Sequence, residues 1–171
     1  MALVVEDGTG VVGAEAYASV AVTDTYWANR THSAFSATWT GSTTALKEGA
    51  LREASAYIDS RWGGFYKGVR QGNLQGLQWP RVDALDRSGY PLADLPQELV
   101  NACSDLAVRA LSAALSGDAA RGGAVKRNKV DGAVEQEFFE GASTETKYAQ
   151  IENMLGPLLN DSHRGGGWAW K

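Results

Sequence analysis

The chain has 171 residues, 44% hydrophobic and 21% charged, with 16 Lys and Arg against 20 Asp and Glu and a net charge of −4. That length and apolar content suit one globular domain with a core of its own. The acidic balance speaks against a protein whose main task is to grip phosphates, and the lone cysteine, Cys103, excludes a disulfide within the chain.

Residues 1–18 carry Gly8, Gly10 and Gly13 and read as an extended N-terminal arm with a short strand near Ala16 and Tyr17. The start "MALVVEDGTG" lacks the basic residues and long apolar run of a signal peptide. No stretch reaches the ~20 apolar residues that cross a bilayer, so no membrane partner is expected. A first helix is predicted from about Val22 to Arg30, with Tyr26 and Trp27 on one side and Ser19 or Thr23 as cap. Residues 31–42 are rich in Ser and Thr and read as loop, with Phe35 and Trp39 packing back.

The clearest helix begins after Ser42, Thr43 or Thr44. Leu46, Ala50, Ala54, Tyr57, Ile58 and Trp62 recur at steps of three and four, and Gly63-Gly64 ends the pattern. Glu48, Glu53 and Asp59 fall opposite that stripe and read as a solvated face rather than an acid–base pair. Residues 63–96 form a long packed loop, broken by glycines and Pro80 and Pro91 and anchored by Phe65, Tyr66, Leu77 and Trp79. A central helix starts at Pro96 or Gln97 and carries Leu99, Cys103, Leu106 and Ala110 in one row, with Cys103 as a buried small hydrophobe.

"AVKRNKV-DG-AVEQEFF" reads as a β-hairpin with a two-residue Asp131-Gly132 turn. That register sets Lys129 opposite Val134, Asn128 opposite Glu135 and Lys126 opposite Glu137. The basic strand with Lys126, Arg127 and Lys129 is then neutralised by Glu135 and Glu137 instead of forming a DNA patch. A last helix is predicted from about Glu145 to Leu155 or Leu159. The whole reads as mainly α, a small bundle of about four helices with one β-hairpin, a domain at 19–160 between arms at 1–18 and 161–171.

No catalytic constellation emerges, and no cofactor or metal is expected. His32 and His163 are the two histidines, and neither has a second ligand at metal-binding spacing. The C-terminal "RGGGWAWK" stands out. Gly165, Gly166 and Gly167 tether Trp168 and Trp170, which face the same way in an extended segment, and Lys171 follows. Indoles so placed suit burial in a partner's pockets.

Four blocks then carry a resemblance: "AYASVAVTDTYWANR" at 16–30, "ALREASAYIDSRWGGFYKGVR" at 50–70, "LQWPRVDALDRSGYPLADLPQELVNACSDLAVRAL" at 77–111 and "GGAVKRNKVDGAVEQEF" at 122–138. The chain resembles the head–tail adaptor (connector, or head-completion) proteins of tailed bacteriophages, in the branch labelled DnaT-like single-stranded-DNA-binding proteins. The resemblance implies a non-enzymatic virion protein, assembled in the host cytoplasm into a ring, typically twelve-fold. That ring lies under the portal protein, at the neck, and offers a platform to stopper or tail-completion proteins. Genomic double-stranded DNA would pass through it without sequence-specific binding. The C-terminal arm would engage the portal or a neighbouring subunit, and Trp79, Pro80 and Arg81 would anchor the long loop or touch the next subunit. The branch label implies an alternative, a single-stranded-DNA-binding protein of phage replication. For that role Tyr66, Lys67, Arg70, Trp79 and Arg81 are the candidate cluster.

Overall fold

The computed structural model describes residues 2–116, 127–130, 134–137 and 146–160. The chain divides into two units, a body of residues 1–115 and 148–171 and a smaller unit of residues 116–147.

In the body, α1 (Val20–Ala28) begins where the Ser19 hydroxyl accepts from the Val22 amide at 3.2 Å. α2 (Ala34–Thr40), capped by Ser33, occupies part of the segment expected to be loop. Its Ser and Thr content is unfavourable for a helix, yet Thr38 and Thr40 donate to the carbonyls of Ala34 and Ser36, one turn back. Ser36 reaches the Trp27 carbonyl, and the buried Trp39 indole donates to Asp24 at 2.7 Å. Tertiary burial of Trp39 overrides weak propensity here.

α3 (Thr44–Trp62), capped by Thr43, buries Ala50, Leu51, Ala54, Tyr57, Ile58 and Trp62, while Leu46 at its start is exposed. α4 (Gln97–Ala110) is the central helix and buries residues nearly all round, from Leu99 to Val108. α5 (Ala149–Leu155) runs into a 3-10 turn that ends at Leu158, and it seats Ile151, Leu155 and Leu158 in the core. α3 and α5 both pack on α4. Polar groups also tie the elements. The Tyr17 amide donates to Ser55, Ser55 contacts the Cys103 thiol at 3.2 Å, and the Trp27 indole donates to the Ser104 carbonyl. Cys103 is fully buried, and burial pushes its thiol up to about 11, so it packs as a small hydrophobe and is not poised as a nucleophile. Five α-helices stand among the described residues where about four were expected, within the mainly helical class.

Residues 2–18 lie on the body, with Ala16 and Tyr17 fully buried and Val5 bridged to Ala16. Glu6, only 2% exposed, turns its carboxylate into its own loop and accepts from three amides: Gly8 and Gly10 on Oε1, each at 2.9 Å, and Val11 on Oε2 at 3.0 Å. Gly8 and Gly10 have φ of 97° and 81°, the left-handed region that glycine enters without a Cβ penalty. The DGTG stretch is thus a backbone nest filled by the chain's own carboxylate.

The long loop contains a short ladder, β1 (Val69–Arg70) antiparallel to β2 (Arg81–Val82), with Val69 opposite Val82 and Arg70 opposite Arg81. In the smaller unit, β3 (Arg127–Val130) pairs antiparallel with β4 (Val134–Glu137). The hairpin exists as expected, but its register is shifted by one residue. Val130 pairs with Val134, Lys129 with Glu135, Asn128 with Gln136 and Arg127 with Glu137. Three residues, not two, separate the paired valines. This register sets opposite formal charges at two opposed positions, where the two-residue turn sets them at one, and cross-strand pairs of opposite charge favour pairing.

Candidate functional site

Two places in the body gather polar and aromatic groups. The first is the inner side of the long loop, where Trp79, Pro80 and Arg81 lie. Trp79 is fully buried, meets Tyr66 edge to face at 5.5 Å and precedes Pro80 through a cis peptide bond. Arg81 directs its guanidinium inward, donating to the carbonyls of Lys67 (2.7 Å), Gly68 (2.8 Å) and Gln78 (3.2 Å). Arg70 donates to the Gln75 carbonyl, and the buried Gln75 amide bonds the carbonyls of Leu77 and Pro80. Asp86 accepts from the amides of Ser88 and Tyr90. These charged side chains hold loop backbone; Trp79 and Tyr66 are too buried to stack bases. The cluster named for single-stranded DNA is therefore a loop clamp, because a segment without long strands must find side-chain partners for its buried carbonyls.

Asp59 completes the clamp. It lies at the end of α3 and was expected on a solvated face, but it accepts from the Tyr17 hydroxyl and, at 2.9 Å, from the Gln78 amide. Tyr17 in turn accepts from the Trp79 amide at 3.2 Å. Burial raises the Asp59 carboxyl to about 6, against the lowering effects of the Tyr17 and Gln78 hydrogen bonds and of Arg70 and Arg81. Helical periodicity placed Asp59 correctly on α3; the fold of the loop over it leaves it half-buried.

The second place is a trough on the face of α1. A hollow of about 470 Å³ is lined by Val22, Thr25, Tyr26, Asn29, Arg30, Gln97 and Asn101, among others. A neighbouring hollow of about 230 Å³ shares Tyr26 and Arg30 and adds His32, Phe35, Asp105, Arg109 and Gln150. Arg30 lies over the Tyr26 ring at 3.5 Å and donates to the Tyr26 carbonyl at 2.9 Å, so both contacts fix the guanidinium plane. Arg109 lies 4.8 Å from the Phe35 ring and 3.5 Å from Asp105, whose carboxyl is raised by burial against the lowering charge of Arg109. The i, i+4 spacing of Asp105 and Arg109 was legible in the sequence. The approach of Arg30 to Gln97, Asn101 and Arg109 of α4 was not, because Arg30 follows α1, far from α4 in the chain.

Of the other predicted site residues, Arg127, Lys129, Glu135 and Glu137 hold the hairpin positions given above. Lys126 lies outside the described residues, as do Gly165, Gly166, Gly167, Trp168, Trp170, Lys171 and His163. Among the described residues, no group of three His, Cys, Asp or Glu is placed to hold a metal, and no helix is long and apolar enough to cross a membrane.

Comparison with curated proteins and with solved structures gives no match. A family model described as "Putative DnaT-like ssDNA binding protein" matches residues 1–170, and the chain belongs to that family.

Proposed function

We propose that the protein is a non-enzymatic DNA-binding protein whose ligand is single-stranded DNA. Membership of the DnaT-like family over residues 1–170 carries this reading. In an acidic chain the cations must be concentrated locally to hold a phosphate backbone, and the trough with Arg30 and Arg109 supplies such a concentration. The test is a fluorescence-anisotropy titration with a labelled oligothymidylate at two salt concentrations. Binding is expected at about 50 mM salt, with affinity at about 200 mM lower by roughly sevenfold, the counterion-release loss for two cations on a single strand. No binding at the lower salt would overturn the reading.

A second reading is supported by the order and spacing of the four sequence blocks and by the net charge of −4. It is that of a head–tail adaptor: a twelve-fold ring at the virion neck, docked on the portal protein and carrying stopper or tail-completion proteins. An acidic lumen lets double-stranded DNA slide. On this reading, deleting residues 165–171 leaves thermal unfolding unchanged and abolishes docking on portal-bearing heads. Normal docking of the truncated chain would exclude the arm from that role. Cryo-electron microscopy that located the chain away from the neck would exclude the adaptor reading itself.

A further inference from the structure

We propose that the trough over α1 and α4 is the strand-binding surface, with Arg30 as the base-stacking plane and Arg109 as a phosphate contact. This rests on the single-stranded-DNA reading and gives it a site.

Three observations converge. The first is shape. The two hollows adjoin, with Tyr26 and Arg30 lining both, so a polymer laid across Arg30 would meet the two in turn. The second is charge. Two arginines line it against one carboxylate, Asp105, which is 1% exposed and turned to Arg109. Arg30 gives one bond to a backbone carbonyl, whereas Arg81 of the loop clamp gives three. The third is the state of Arg30. One face of its guanidinium is held on the Tyr26 ring and its Nη1 is anchored on the Tyr26 carbonyl. Bases stack on Arg planes as well as on aromatic rings, and a plane already fixed loses less freedom on binding. Asn29, Gln97, Asn101 and Gln150 line the same depression and bring both donors and acceptors, which suit base edges and sugars of any sequence.

The test adds negative charge without disturbing the core. Gln97 is exposed and Asn101 half-buried, and Gln97 lies in the first turn of α4, where a carboxylate is favoured by the helix dipole. The double variant Gln97→Glu, Asn101→Asp keeps side-chain shape, gives up the Gln97 Nε2 to Asn101 Oδ1 hydrogen bond at 3.0 Å and makes the trough net negative. A control of equal charge, Thr44→Asp with Ala45→Glu, sits in the exposed first turn of α3. Unfolding temperatures are compared first; the control is expected to melt with the native protein, and the trough variant slightly lower, because two carboxylates then face each other at i, i+4, but still folded at the assay temperature. In the oligothymidylate titration at about 50 mM salt, the trough variant is expected to lose roughly tenfold or more in affinity, and the control no more than about threefold. Arg30→Gln, which removes the stacking plane and one charge, is expected to lose roughly fivefold or more. Equal losses in trough variant and control, with the native protein binding, would overturn the trough and leave the single-stranded-DNA reading standing. A native protein that does not bind would overturn both.

Discussion

Glu6→Ala is expected to destabilise the body by about 3–5 kcal/mol, the largest effect of any single polar substitution considered. The carboxylate accepts from three amides, those of Gly8, Gly10 and Val11, at 2.9, 2.9 and 3.0 Å. Alanine leaves all three N–H groups turned into a hollow without an acceptor, at ~1–3 kcal/mol for each that water cannot reach. The costs do not add fully, because the loop relaxes and the ionised carboxylate no longer has to be desolvated. Two of the three bonds end on Oε1, so Glu6→Gln keeps an oxygen for Gly8 and Gly10 and sets an amide donor against the Val11 N–H. It is expected to cost about half as much. Urea unfolding followed by circular dichroism reads both values, and a loss under about 1 kcal/mol for the alanine variant would show the nest to be dispensable. The damage should extend to the long loop, because the Gly76 amide bonds the Val11 carbonyl and Val12 bridges to Gln75.

Asp59 is expected to make the fold more stable as pH falls from 7 to 5. Its folded pKa is raised to about 6 from an ordinary value of 3.8. The folded state therefore binds a proton that the unfolded chain releases between these values. The resulting stability is fully present below about 3.8 and is lost as pH rises through about 6. Two pKa units set its size at no more than ~3 kcal/mol. Asp7, Glu15 and Asp24 have lowered pKa values and work in the opposite sense, losing stability as pH falls. The comparison with Asp59→Asn isolates the single group. The native minus variant difference should grow by about 2 kcal/mol from pH 7 to pH 4.5. Parallel profiles would mean that Asp59 titrates as an ordinary carboxylate. The asparagine variant also tests the clamp, because an amide cannot accept from both Tyr17 and Gln78 as the carboxylate does.

How legible these features were in the sequence depended on range. α3 and α4 were readable because long apolar periods leave few alternatives, and their caps, Thr43 and Pro96, carry local signals. α2 was not, since its Ser and Thr residues match a loop and the burial of Trp39, tied to Asp24 of α1, makes the helix worth forming. The hairpin was visible, but a one-residue choice in turn length moved every cross-strand pair. Family membership was legible in the four blocks, which run in order along almost the whole chain, as the family model does.

By itself the sequence determined a mainly helical fold, a packed glycine-rich loop, a buried thiol and the family, because periodicity, capping and motif order are properties of neighbours along the chain. Tertiary structure alone decided which charges face water. Arg81 and Asp59, both open candidates for surface roles, were drawn into the loop clamp by carbonyls and amides that lacked partners. Arg30 and Arg109, inconspicuous in sequence, were brought to one trough by the packing of α1 against α4. A side chain's exposure depends on what folds over it, and residues far apart in the chain supply that cover.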